Sequence, residues 1–376
     1  MYFKSLRNSL LVFLCFTSLV LAQKEVQKPL IQMAILLDTS GSMDGLLAQA
    51  KTQLWKIVNE FIAAKKGGVR PELQVALYEY GKQTIPSAEG YLRMIVPLST
   101  DLDKVSEELF ALKTNGGDEY CGRVIRAAAE GLAWSSSNED LKVIFIAGNE
   151  PFTQGNVDYR EACQFAIGKG IIVNTIFCGP HQEGINTQWK DGAVLSDGMY
   201  MNIDQNQQVV NINAPQDKEI VELNSHLNST YLVFGGDSSK AKESKLRQEA
   251  QDSAASGASG ESMVQRSVSK SSGYYKNTSW DLIDAINAGK KLEEVPVEEL
   301  PEEMKKLSPE ERQSYLDSKT KERVEIQKKI QELNESRKKY VAEEMKKVSV
   351  DGKDSLDSAM INALRQQAAK KSFSME

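Results

Sequence analysis

Asp38, Ser40 and Ser42 alternate along DTSGS, directly after the apolar run IQMAILL at 31–37. A carboxylate and two hydroxyls spaced two residues apart can converge their oxygens on one point where an extended chain ends. That is hard-oxygen chemistry, suited to Mg2+, or to Mn2+ or Ca2+, with water completing the coordination. Gly41, between the serines, permits the tight backbone such convergence needs. Taken alone, the same residues also read as a cluster capping a helix N-terminus. A second polar loop, KTNGGDEYCG at 113–122, offers Thr114, Asp118 and Glu119 beside two glycines. By itself it reads as a Gly-rich turn before a capped helix.

For these loops to meet, strands must carry them to one edge. The run 31–37 is nearly continuous apolar, as in a strand buried on both faces. From 44 to 66 Leu46, Ala50, Leu54, Ile57, Phe61 and Ile62 recur at helical spacing. LQVALYEYG and YLRMIVPLS read as two neighbouring strands, followed by helices at 102–112 and 121–134. LKVIFIAG (141–148) and IIVNTIFCG (171–179) are further buried strands, with a helix between them. Strands alternating with helices over some 200 residues predict a doubly wound, mostly parallel α/β sheet covered on both faces. In such a sheet ligands bind beyond the carboxyl ends of the strands, where strand order reverses, and Asp38 stands at such an end.

The flanks differ in kind. Lys4 and Arg7 precede an apolar run at 10–21 that ends in a small residue, Ala22, so 1–22 reads as a secretory signal peptide. The expected location is periplasmic or extracellular. No later segment reaches the roughly 18 apolar residues of a membrane span. The α/β unit is expected over 29–235. Residues 236–273, rich in Ser, Ala, Gly, Lys and Glu, read as a flexible linker. A helical C-terminal region is expected over 274–376. In it, SPEE at 308–311 signals a capped helix start. Ile326, Ile330 and Leu333 then mark either a coiled-coil seam or one packed stripe on a solvated helix. Asp354 is placed to cap a last short helix.

The strand ILLD running into DTSGSM resembles the metal-ion-dependent adhesion site of the von Willebrand factor type A domain, and the order of elements from 29 to 231 is similar to that family's. The layout is similar to exported bacterial members. The resemblance implies Asp38, Ser40 and Ser42 as metal ligands and nominates Asp118, from the branch with Asp in place of Thr in the Gly-rich loop. It also implies that an acidic side chain of a partner protein completes the coordination of a Mg2+-type ion. One corner departs from the family's pattern. Gly148 stands where an Asp is usual, leaving Asn149 and Glu150 as possible additional metal ligands.

Other classes of function find little support. The formal charge of −6 and the lack of a basic run argue against nucleic acid. The two histidines, His181 and His226, stand in no metal or triad pattern, and no nucleophile elbow or phosphate loop is present, so no enzyme is expected. Cys163 and Cys178, placed by the expected elements at the same sheet edge, read as a possible disulfide or as two buried thiols. The expectation is thus an exported, adhesion- or scaffold-type protein-binding module with a divalent-cation site. The alternative is a structural protein with a vestigial metal site, whose helical tail makes the interactions.

Overall fold

A computed structural model describes residues 28–204, 211–236, 238–347 and 356–375. The segment 1–22 and Asp354, read above as signal peptide and helix cap, lie outside the described residues. Six strands form one sheet: β1 (Leu30–Asp38), β2 (Glu72–Tyr80), β3 (Arg93–Ser99), β4 (Leu141–Gly148), β5 (Ile172–Cys178) and β6 (Tyr200–Ile203). Their order is β3-β2-β1-β4-β5-β6, parallel throughout except for β3, which runs antiparallel to β2. The chain builds outward from β1 through β2 to β3, then crosses to lay β4 on the other side. Strand order therefore reverses between β1 and β4, which opens a crevice at their carboxyl ends.

Every residue of β1 after Leu30 is buried, as the apolar run requires. Ile31, Met33, Ile35 and Leu37 enter one core, and Ala34 and Leu36 enter the other. The first core is roofed by α1 (Asp44–Asn59), α2 (Leu102–Ala111) and α12 (Leu356–Lys370). The second is roofed by α3 (Cys121–Gly131), α4 (Tyr159–Gly168) and α6 (Trp189–Leu195).

The α/β unit is not closed at residue 235. After β6 the chain runs through α7 (Asp217–Asn228), α8 (Ser238–Ala258), α9 (Gly260–Lys270), α10 (Leu282–Asn287) and α11 (Pro309–Met345). It then returns to place Leu356, Met360, Ala363, Leu364, Ala368 and Phe373 in the core beside the sheet, which Ala255 of α8 and Met263 of α9 also enter. The intervening helices have apolar clusters of their own, one around Tyr231, Tyr275, Trp280 and Ile330 and one around Phe234, Leu282, Ile283 and Leu316. No described helix is long and apolar enough to cross a membrane.

The flexible linker expected at 236–273 is corrected to two helices, α8 and α9. In α9 all residues from Ser262 to Lys270 are buried. Low apolar content misleads here because the buried surface is polar and paired. Arg266 binds Asp103 of α2 at 2.8 Å and also Asp252, and Lys270 binds Asp252 at 2.7 Å. Such pairing offsets the cost of burying charge, and Asp103 lies far away in sequence. Two smaller corrections follow. The helix expected over 44–66 ends at Asn59, before a turn in which Lys66 and Val69 bond each other. The stretch 184–204, in sequence a long loop into a short strand, contains the second half of α5 (His181–Asn186) and all of α6 before β6.

Helix α11 starts as its sequence signals. The Ser308 hydroxyl accepts from the Glu311 amide at 3.3 Å, and the Glu311 carboxylate accepts from the Ser308 amide at 2.8 Å. Its buried stripe of Leu316, Arg323, Ile330, Asn334 and Arg337 packs inside the same chain, against α7 and α9 among others. The helix is a solvated one with one packed face.

Candidate metal site at the sheet edge

Asp38 ends β1 in register with Tyr80 of β2, and its neighbour Leu37 is in register with Ala147 of β4. The Thr39 amide still bonds the Tyr80 carbonyl at 2.8 Å, so the chain leaves the sheet only after Thr39. It then turns over the Asp38 carboxylate, whose Oδ1 accepts from the Ser40 amide at 2.7 Å. The hydroxyls of Ser40 and Ser42 lie 3.3 Å apart. The Met43 amide bonds the Ser40 carbonyl at 3.1 Å, and α1 begins one residue later. The three oxygen-bearing side chains named from spacing are thus brought together.

The second loop docks on the first through its backbone. The Asn115 amide donates to the Thr39 carbonyl at 2.8 Å, and the Gln83 amide donates to the Gly116 carbonyl at 2.7 Å. Thr114 donates to Asp44 in a short hydrogen bond and does not reach the carboxylate of Asp38. Asp118, nominated as a ligand, is exposed and accepts from the Tyr120 hydroxyl at 3.2 Å. Its neighbour Glu119 is the residue that turns inward, held by a bond from its amide to the Gln154 side chain at 2.6 Å, and it is 5 % exposed. Of the two acidic residues it is thus Glu119, not Asp118, that lies buried beside Asp38. Two adjacent acidic residues cannot both face one point from this loop, and spacing alone does not say which one does.

Gly81 shows how close the two carboxylates come. With φ +74°, its missing Cβ would stand 2.7 Å from Asp38 Oδ1 and 2.8 Å from the Glu119 Cγ. Asp38 Oδ2 and Glu119 Oε2 are both buried and have no hydrogen-bond partner. Unmet buried oxygens of this kind call for a proton or a cation. Two carboxylates with two hydroxyls form a hard-oxygen set that fits a divalent ion with water filling the remaining positions. Among the described residues there is no cluster of three or more His, Cys, Asp or Glu side chains arranged to hold a metal. An ion here would thus depend on the serine oxygens.

The altered third corner is closed. A Cβ on Gly148 would meet the Tyr80 hydroxyl at 2.5 Å and Asp38 Oδ2 at 3.0 Å. Tyr80, fully buried, donates to the Ala147 carbonyl at 2.9 Å and fills the space an Asp would need. Of the two substitutes considered, Asn149 reaches the motif, donating to Ser42 Oγ at 3.1 Å. Glu150 is exposed and acts on Asp38 and Glu119 only through its charge.

Cys121, Cys163 and Cys178 are buried and free, so of the two readings of Cys163 and Cys178 the structure has the buried thiols and not the bridge. The reason is the sheet itself: Cys178 points into the core under α1, and Cys163 into the opposite core under α3 and α4.

Residues 32–191 match the von Willebrand factor type A domain. This stretch of the chain is a von Willebrand factor type A domain. Solved structures similar to it include the SpRpn10 VWA domain (18 % identity, TM-score 0.37, 48 % of this chain and 90 % of that one). Others are the BatB protein of Bacteroides thetaiotaomicron (16 %, TM-score 0.35, 46 % and 90 %) and the proximal thread matrix protein 1 of the mussel byssus with a zinc-occupied MIDAS motif (12 %, TM-score 0.36, 46 % and 42 %). The chain spans about two-fifths of the length of the mussel protein. No curated protein matches it. VWA domains serve as protein-interaction modules and commonly hold a divalent metal at a MIDAS motif.

The carboxyl pair of this VWA domain should mark its stability against pH. Burial pushes Asp38 up to about 6, against the pull of the Ser40 amide. Burial, and after it the Asp38 charge, pushes Glu119 up to about 9. The two titrate as a pair. Between the ordinary carboxyl range near pH 4 and about pH 9, the native state holds more protons than the unfolded chain, so stability falls as pH rises through that window. In chelator, the melting temperature is expected to drop from pH 5 to pH 8. The slope should flatten in Glu119→Gln, as followed by calorimetry. An equal slope in both proteins would show that the pair does not couple to folding.

Proposed function

We propose that this protein is a binding module that engages a partner protein through a divalent cation at the carboxyl edge of its sheet. Asp38, Ser40, Ser42 and Glu119 hold the ion, which is Mg2+, Mn2+ or Ca2+. The observation that carries this reading is the pair of buried, unpartnered carboxylate oxygens beside two converging hydroxyls. The module works outside the cytoplasm, in the periplasm or beyond the cell, consistent with the Lys4, Arg7 and 10–21 pattern, and carries out no catalysis.

The second reading, a scaffold whose metal site is vestigial, draws on Tyr80 closing the Gly148 corner and on the extra helical body from α7 to α11. The two differ in a pull-down from the native medium or periplasmic extract. Under the cation-bridged reading, proteins captured by the immobilised chain in Mg2+ are released by chelator and are not captured by Ser40→Ala/Ser42→Ala. Capture unaffected by chelator or by the double substitution would support the scaffold reading.

A further inference from the structure

The residues that depart from the family's pattern are spatially connected. The end of β4 brings no carboxylate, since Gly148 has none, and the Tyr80 hydroxyl bars any side chain there. The loop after α2 brings one instead, Glu119, buried against Asp38 across Gly81. Among the described residues no lysine or arginine bonds either carboxylate, while Glu150 adds negative charge.

With Glu119 among the ligands of the bound cation, we infer that the partner group recruited by this site is a neutral oxygen donor, a main-chain carbonyl or side-chain amide, rather than a carboxylate. This rests on the cation-bridged reading above and narrows it. Two carboxylates in contact with one divalent ion cancel its formal charge. The attraction left for a third anion is then small, and the Glu150 charge opposes it. A carbonyl or amide oxygen is still an adequate ligand for a hard cation, and it pays no such penalty. Glu119 thus sets partner chemistry as well as ion affinity.

The test uses the full chain loaded with Mn2+, whose unpaired electrons speed the relaxation of nearby protons. Water-proton relaxation first reports ion binding, which should be lost in Asp38→Ala. The methyl protons of acetate and of acetamide, added in turn, then report which of them enters the coordination sphere. In the native protein acetamide should relax at least as strongly as acetate. In Glu119→Thr at saturating Mn2+, one negative charge is gone and an oxygen remains, and the acetate effect should rise roughly tenfold relative to acetamide. Glu119→Gln, nearly isosteric, should shift the ratio in the same direction. Acetate favoured already in the native protein, or a ratio unchanged by both substitutions, overturns the inference and leaves the cation reading standing. If the native protein binds no Mn2+, both fall.

Discussion

A chain ended after residue 347 is expected to lose its cooperative thermal transition. The last helix looks dispensable in sequence order, yet Leu356, Met360, Leu364 and Phe373 lie in the core between the sheet and α1. Burying each such side chain contributes about 1.5–3 kcal/mol, so their joint removal approaches the roughly 5–15 kcal/mol that holds a whole domain together. Polar ties go with them: Gln367 exchanges two hydrogen bonds with buried Asn174, at 3.0 and 2.6 Å, and Asp357 pairs with Lys56 at 2.6 Å. Circular dichroism on heating should show a broad, non-cooperative decline and strong dye binding. The point variant Leu364→Ala should retain a sharp transition and lose about 2–5 kcal/mol. A sharp transition within a few degrees of the intact chain, after truncation, would mean that α12 is not part of the core.

Arg266→Ala is the second large effect. The guanidinium is fully buried between Asp103 and Asp252, stacks 4.7 Å from the Trp55 ring, and donates to the Gln248 carbonyl at 2.8 Å. Asp103 also accepts from the Tyr275 hydroxyl. Removing the cation leaves Asp103 buried without its ion-pair partner and empties the space over Trp55. Breaking a buried pair from one side costs about 3–5 kcal/mol, and urea midpoints should move accordingly. Replacing both partners, Asp103→Leu with Arg266→Met, should cost much less, because no lone charge remains. The acid side has a marker too. Burial alone would raise the Asp252 carboxyl, but Lys270 and Arg266 hold it well below the ordinary range. Its stabilisation is therefore present above about pH 4 and lost as pH falls below that. Equal costs for Arg266→Ala and the double substitution would show that packing, not charge, is what the cluster supplies.

The parts of the molecule legible in sequence are those governed by local patterns. The runs at 31–37, 141–148 and 171–179 became β1, β4 and β5, because continuous apolar residues can only be buried on both faces. The alternation of Asp38, Ser40 and Ser42 survived for a similar reason: each side chain follows from its neighbour along one short turn. Long-range pairing was not legible. Nothing near α9 announces Asp103 as the partner of Arg266, so a packed helix read as a linker. Nothing near residue 356 announces a sheet that ended 150 residues earlier. The choice between Asp118 and Glu119 was hidden differently, since it depends on a bond from the Glu119 amide to Gln154 in a separate loop. Gly148 was visible as a departure, but its meaning lay in Tyr80, which fills the vacated corner.

Whether this edge of the sheet holds a cation is most directly measured by melting the intact chain at pH 8 with chelator, and then with increasing Mg2+ or Mn2+. A site filled at a hundred times its dissociation constant adds about 2.7 kcal/mol to the native state. The expected result is a rise of several degrees that saturates with ion concentration, disappears in Asp38→Ala and is reduced in Ser42→Ala. A melting temperature unmoved by either ion at millimolar concentration, or a rise that persists unchanged in Asp38→Ala, contradicts a metal site built on Asp38, Ser40, Ser42 and Glu119.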